Sequence, residues 1–290
     1  MLILICDAFD PSLPQRLARF GEVTDDHGRL AEAAVALVRS KTKCTAEWIA
    51  SAPKLRLIIR GGVGLDNVDR QAAQARDIVV RNTPRASSVA VAELAIALMI
   101  AIPNRLIEAH NSLREGKWLK KELKRTELYQ KTLGLVGIGL IGSEVAKRAA
   151  AFGMRVIAHD PYVSSHPVAE LMDLEQVLAQ ADYLSLHTPL TDETRGMLNA
   201  AAFATMKKGV IIVNTGRGKV VVEEDLVAAL HSGQVGGYGT DVWYSDPPDP
   251  SCPLLTAPNV LMAPHIGASS KENLLRIGDE VVKILEEFGK

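Results

Sequence analysis

Leu133-Gly134-Leu135-Val136-Gly137-Ile138-Gly139-Leu140-Ile141-Gly142-Ser143-Glu144-Val145-Ala146 is an apolar run, a glycine turn and the opening of an Ala-containing helix. Each glycine has its own task in such a pattern. Gly137 permits the tight turn, Gly139 lets a pyrophosphate approach the backbone, and Gly142 lets helix and strand pack closely. The N–H groups freed at the helix start, with the helix dipole, attract that pyrophosphate. Glycine turns also arise by chance, so the neighbouring sequence decides. The next apolar run, Arg155 to His159, meets Asp160-Pro161 roughly twenty residues after Gly137, where a carboxylate can accept from both hydroxyls of an adenosine ribose. A 2′-phosphate there would meet like charge, so the pattern predicts NAD rather than NADP. Asp160 as a mere cap on the turn before Pro161 is the alternative, and the glycine pattern outweighs it.

Outward from this loop, short β-branched runs alternate with longer Ala/Leu/Glu/Arg-rich stretches, which predicts βαβ units and parallel sheet. Strands are expected at Thr132 to Val136, Arg155 to His159, Tyr183 to Leu186, Val210 to Asn214, Gly237 to Asp241 and Val260 to Met262. Such continuous apolar strands suit a sheet covered on both faces. Upstream, strands at Leu2 to Cys6, Ala34 to Val38, Leu55 to Arg60 and Ile78 to Val80, with a helix over Pro14 to Phe20, predict a smaller α/β unit. Its size, roughly 85 residues, is ordinary for a domain. A long helical segment from about Ser88 to Leu113 should bend or split at Pro103. Charged, irregular sequence follows from Arg114 to Gln130. The last helix, Lys271 to Phe288, comes after the second set of strands and is expected to pack back on the first unit. The domains are therefore expected at 1–87 completed by 268–290, and at 88–267. Repeats and low-complexity tracts are absent from the sequence.

The 290 residues are 47% apolar and 23% charged, ample for two cores. A net charge of -1 gives no general attraction to nucleic acid or anionic membrane. A substrate anion must then be captured by local basic groups. The opening Met1-Leu2-Ile3-Leu4-Ile5-Cys6 lacks a basic n-region and meets Asp7 too soon for a signal peptide. Val89 to Ile102 is interrupted by Glu93 and is too short to span a bilayer. Cys6, Cys44 and Cys252 are far apart and form no C-x-x-C pair, which predicts thiols in a reducing, cytoplasmic setting and no metal site.

Three loops should line the carboxyl edge of the larger sheet, the usual ligand crevice of open α/β folds. They are Asn214-Thr215-Gly216-Arg217-Gly218, Asp241-Val242-Trp243-Tyr244-Ser245-Asp246-Pro247-Pro248, and Ala263-Pro264-His265-Ile266-Gly267-Ala268-Ser269. Alcohol oxidation by hydride loss needs a base for the hydroxyl proton, and the reverse needs the same group as acid. Histidine serves both directions near neutrality. A carboxylate on its other nitrogen fixes the tautomer and favours the imidazolium. A guanidinium can clamp a substrate carboxylate and polarise the C2 oxygen. His265, Asp246 and Arg217 fit these three roles without a metal. Singly, each has a plainer reading as a structural histidine, turn punctuation and a surface cation.

With these loops in view, the chain resembles the D-2-hydroxyacid dehydrogenase family over nearly its whole length. Five blocks carry the likeness: Arg60-Gly61-Gly62-Val63-Gly64-Leu65-Asp66-Asn67-Val68-Asp69, Asn82-Thr83-Pro84, the Gly137–Gly142 loop with Asp160, Asn214 to Gly218, and Pro264-His265-Ile266-Gly267-Ala268. The resemblance implies two flavodoxin-like or Rossmann-like doubly wound parallel-sheet domains flanking an active-site cleft, in a homodimer built through the cofactor domain. It assigns Arg217 to substrate, His265 to acid/base chemistry, and the acid before Pro247 to partnering it. It also implies that NAD is bound by Gly137, Gly139, Leu140, Ile141, Gly142, Asp160, His187, Thr188, Pro189, Thr215, Asp241 and Gly267. Backbone N–H groups of Gly62-Val63-Gly64 would receive the substrate carboxylate, an anion-binding nest. The family usually has Glu where this chain has Asp246, one methylene shorter.

Within the family, Val38-Arg39-Ser40-Lys41-Thr42-Lys43, Gly116-Lys117-Trp118 and Thr126-Glu127-Leu128 resemble the branch that oxidises 3-phosphoglycerate on the way to serine. A phosphate would call for further cations, and Arg39 and Arg60 are the candidates, with a surface or domain-interface arginine as the equal alternative for each. Some members of that branch carry a C-terminal regulatory domain, and a chain ending at Lys290 is expected to lack it. A glyoxylate or hydroxypyruvate reductase, or a D-lactate-type dehydrogenase, is the alternative enzyme. A non-catalytic NAD-sensing protein of the corepressor kind is the alternative outside enzymes.

Overall fold

Alternate residues of the first strands point to opposite faces, and both faces are covered. In the computed structural model, which describes residues 1–289, the chain forms two units: Met1–Ala90 with the segment from Ala268 onward, and Val91–Gly267. In the first unit, β1 (Leu2–Ile5), β2 (Glu22–Thr24), β3 (Val35–Val38), β4 (Leu57–Arg60) and β5 (Val79–Asn82) form one parallel sheet in the order β2-β1-β3-β4-β5. Short helices α1 (Leu13–Leu17), α2 (Ala46–Ala50) and α3 (Arg70–Gln74) lie between them. Ile3, Val35, Leu37, Leu57 and Ile59 pack in one core, while Leu4, Ala36, Val38 and Ile58 pack in the other. That alternation is the period of two expected of a strand.

The C-terminal helix, Lys271–Phe288, closes the first of these cores. Its Ser270 side chain accepts from Asn273 N–H at 3.1 Å and caps the start. Ile277, Val281 and Leu285, spaced four apart, form one stripe and are fully buried against the sheet. Arg16 pairs with Asp279 at 2.6 Å and Arg19 with Glu286 on the solvent side, where such pairs add little. Helix α1 is shorter than the predicted span.

The second unit starts from a broken helix. α4 (Ser88–Ala101) and α5 (Leu106–Arg114) meet at 63°, with Pro103 between them and Arg105 in the left-handed region at φ 50. The ring of a proline removes a donor and stops the helix from running on. Among the described residues no single helix is long and apolar enough to cross a membrane. The remaining elements are β6 (Thr132–Val136), α6 (Leu140–Ala151), β7 (Arg155–His159), β8 (Glu170–Leu171), α7 (Leu174–Gln180), β9 (Tyr183–Leu186), α8 (Ala200–Thr205), β10 (Val210–Asn214), α9 (Glu223–His231), β11 (Val235–Thr240) and β12 (Val260–Met262). The seven strands are parallel in the order β12-β11-β10-β9-β6-β7-β8. β9 and β10 are buried at every position, as a sheet with helices on both faces requires. Strand order reverses at β6, which lies between β7 and β9, so a crevice is expected outside their carboxyl ends.

Truncating Ile277 to Ala removes buried methyl groups from the sheet–helix core. The expected loss is about 2–5 kcal/mol of stability in denaturant unfolding. A loss under about 1 kcal/mol would show that this helix is not part of that core.

Candidate active site

Close packing shapes the glycine loop. Gly137 sits at φ 88, and a Cβ there would stand 3.0 Å from the His187 carbonyl and 3.1 Å from Thr188 N. A Cβ on Gly142 would stand 2.3 Å from the Gly137 carbonyl oxygen. Gly139 differs: a Cβ on it would meet nothing within 4 Å. It caps α6 in an extended conformation with no side chain bonded to the helix start. Leu140, Ile141 and Gly142 form the first turn, whose N–H groups have no intrahelical acceptor. Open space above exposed N–H groups fits a pyrophosphate. Asp160 is held beside the loop, one oxygen accepting from Ile138 N–H at 2.9 Å and the other from Tyr162 N–H at 3.0 Å.

At the end of β10, the buried Asn214 organises the turn that carries Arg217. Its Nδ2 donates to the Arg217 carbonyl at 3.0 Å and to the Tyr238 hydroxyl at 3.1 Å, and its Oδ1 accepts from Gly216 N–H at 3.0 Å. These three bonds leave no polar atom of the buried amide idle. A Cβ on Gly218 would stand 2.3 Å from the Trp243 carbonyl carbon. The arginine turn is therefore pressed onto the segment that leads to Asp246. Arg217 itself directs Nη1 to the Gly216 carbonyl at 2.8 Å.

Asp246 bonds to Nδ1 of His265, both side chains being about one-third exposed. The shorter carboxylate thus still reaches the imidazole, with Nε2 as the ring's second nitrogen. His265 lies at φ 56, a region non-glycine residues seldom adopt. Asp241 holds the turn that follows it. Buried at the end of β11, its two oxygens accept from Ile266 N–H and Gly267 N–H, both at 2.7 Å. Burial pushes the Asp241 carboxyl up, and the two N–H groups and His265 pull it back. A Cβ on Gly267 would stand 2.9 Å from the Asp241 carboxylate, so glycine is what the turn admits. Thr215 Oγ1 lies 3.3 Å from Nδ1 of His187, and Thr188 and Pro189 continue the turn after β9. The role of Asn214 was not read from the sequence, and the two hydroxyl contacts of the His187 ring are a tertiary feature. Asn214 opens its glycine-containing turn, and that position was the available signal.

In the first unit, the two blocks Gly62-Val63-Gly64 and Asn82-Thr83 come together. Gly62 N–H donates to Thr83 Oγ1 at 2.8 Å, and Thr83 N–H returns a bond to the Gly62 carbonyl at 3.0 Å. Arg60, at the end of β4, lies over Gly62, where a Cβ would collide with its guanidinium at 1.6 Å. Arg39 donates from Nη2 to the Ala268 carbonyl at 2.8 Å and from Nη1 to the Ala8 carbonyl at 3.3 Å. Its guanidinium thus serves backbone carbonyls of its own unit.

A family model described as D-isomer specific 2-hydroxyacid dehydrogenase, NAD binding domain, matches residues 96–267. A hydroxypyruvate reductase from Thermotoga maritima is 47% identical over 279 residues, covering 92% of this chain and 91% of the relative. A D-3-phosphoglycerate dehydrogenase from Methanocaldococcus jannaschii is 42% identical over 284 residues, covering 93% of this chain and 54% of the relative. The chain thus spans about half the length of that relative. Among solved structures, an NAD-dependent formate dehydrogenase from Staphylococcus aureus in complex with NAD superposes with a TM-score of 0.88 at 30% identity, covering 100% of this chain and 96% of the other.

Two glycine substitutions separate packing from ligand access. Gly142→Ala should lower the thermal midpoint and weaken NADH binding more than about tenfold, because its Cβ meets backbone. Gly139→Ala should weaken NADH binding with the midpoint unchanged within about 2 °C. Fluorescence titration and thermal unfolding read both, and equal destabilisation by the two would contradict this account of the loop.

Proposed function

The chain belongs to the D-isomer specific 2-hydroxyacid dehydrogenases, with NAD as cofactor, and from that premise we propose that it interconverts hydroxypyruvate and D-glycerate. The pairing of Asp246 with His265 carries the chemical part of this reading. NAD, when bound, supplies or accepts the hydride at C2. His265 holds the proton that moves to or from the C2 oxygen, through Nε2, while Asp246 on Nδ1 orients the ring and leaves Nε2 for the substrate. Arg217 clamps the substrate carboxylate and polarises the C2 oxygen. In the first unit, Thr83 takes the Gly62 N–H, so Val63 and Gly64 offer the N–H groups for an anion. Asp241 fixes the turn after His265 and faces the cofactor's carboxamide in this proposal.

The unphosphorylated substrate is favoured by Arg39, whose guanidinium is engaged by Ala8 and Ala268 carbonyls, and by the likeness to the Thermotoga maritima hydroxypyruvate reductase. Arg60, at a strand end beside the glycine turn, and the likeness to the Methanocaldococcus jannaschii D-3-phosphoglycerate dehydrogenase favour the second reading, 3-phosphoglycerate oxidation at the entry to serine synthesis. A homodimer through the second unit is part of the proposal. Its support is the exposed apolar series Leu106, Ile107, Leu113 and Trp118, an arrangement that commonly marks an interaction surface. Unpaired thiols at Cys6, Cys44 and Cys252 suit a cytoplasmic setting.

Steady-state rates with NADH on hydroxypyruvate, 3-phosphohydroxypyruvate, glyoxylate and pyruvate test the substrate. Hydroxypyruvate should give the highest kcat/KM. A preference of about tenfold or more for the phosphorylated compound would reverse the assignment, and no turnover on any of them would favour an NAD-sensing protein. His265→Asn tolerates the left-handed backbone and removes Nε2. It should lower kcat by roughly a thousandfold with NADH affinity retained; an unaltered kcat would remove His265 from acid/base duty.

A further inference from the structure

The imidazole of His187 touches two hydroxyls from neighbouring strands. Its Nε2 lies 2.9 Å from Ser185 Oγ on β9, and its Nδ1 lies 3.3 Å from Thr215 Oγ1 just past β10. The backbone at this position is equally engaged. His187 N–H donates to the Val136 carbonyl of β6 at 2.8 Å, and its own carbonyl closes on Gly137. The carbonyls of Leu186 and Thr188 stand 3.1 Å from where a Cβ of Gly216 would lie. Residue 187 therefore joins the glycine loop, the end of β9 and the turn that carries Arg217, at the point where strand order reverses.

We propose that His187 is a positioning residue for the cofactor, its ring aiming the Thr215 hydroxyl and steadying the 187–189 turn beside the glycine loop. The proposal rests on the assignment of Thr215 to the cofactor. Desolvation pushes the ring down to about 3, so it keeps one N–H and one lone pair at working pH. Such a ring transmits direction between its two partners. When Ser185 donates to Nε2, Nδ1–H points at Thr215 Oγ1, and the Thr215 proton is released toward another acceptor. A charged ring would donate from both nitrogens and oblige both hydroxyls to accept. The hydroxyl of Thr215 thereby gains a defined orientation that its own rotamers do not supply.

Two conservative variants separate the contacts. An Asn side chain places its polar atoms near the position of Nδ1, and Gln places them near Nε2. His187→Asn should therefore bind NADH within about twofold of wild type. His187→Gln and His187→Ala should bind it roughly five- to tenfold more weakly, the scale of one lost hydrogen bond, with kcat at saturating NADH changed less than about threefold. Thr215→Val should show a similar loss, and combining it with His187→Gln should add nothing further. Equal losses for Asn and Gln, wild-type affinity in all three variants, or additive losses in the double variant would each overturn the proposal. Should the variants not fold, nitrogen-15 spectra of the wild-type histidines give the same decision. One ring should hold a single neutral tautomer between about pH 5.5 and 8.5 and shift on NADH addition; if every ring titrates or averages its tautomers, the proposal fails. NADH affinity is read without keto acid, so a wild type that reduces no keto acid refutes the substrate reading alone.

Discussion

The approach of Gly142 to the Gly137 carbonyl is the constraint around which the larger unit is arranged. Helix α6 and strand β6 can meet that closely only where no Cβ intervenes, and the same closeness turns the helix start toward open space. Gly137 brings the turn after β9 against the loop, and Gly216 brings the Arg217 turn against that one. Three strand ends are thus stacked with almost no side chain between their backbones. What a larger side chain would have contributed in packing is exchanged for open space at the start of the helix.

Buried polar side chains then do the aiming. Asn214 and Asp241 lie at the ends of β10 and β11, inaccessible to solvent, and each spends its oxygens or nitrogen on backbone groups of the turn beside it. A buried amide or carboxylate left without partners is costly, so these bonds define one geometry for each turn. His265 accepts a left-handed backbone within that frame. The Asp246 pairing and the Asp241 clasp hold it from both sides, which is how an uncommon conformation persists.

Much of this was legible before the coordinates. The glycine loop, Asp160 and the largely apolar strands β9 and β10 announce themselves because ligand approach and double coverage demand particular residue types. Pro103 announces the break between α4 and α5 for the same kind of reason. Strands β2 and β8 were missed: one has three residues with a polar edge, the other two residues, too few for any periodicity. The five-residue helices α2 and α3 are equally mute. For Arg39, which carbonyls fold against the guanidinium is a tertiary matter that residue type does not encode. Whether Asp246 spans the gap to His265 depends likewise on loop path, which residue type does not encode.

The first unit is assembled from both ends of the chain, and this orders its birth. Residues 91–267 are continuous, so all strands of the larger sheet are translated before the Lys271–Phe288 helix. Synthesis runs from the N-terminus, and domains generally fold as units. The smaller sheet, although translated first, must wait with Ile3, Val35, Leu37, Leu57 and Ile59 uncovered until Ile277, Val281 and Leu285 arrive.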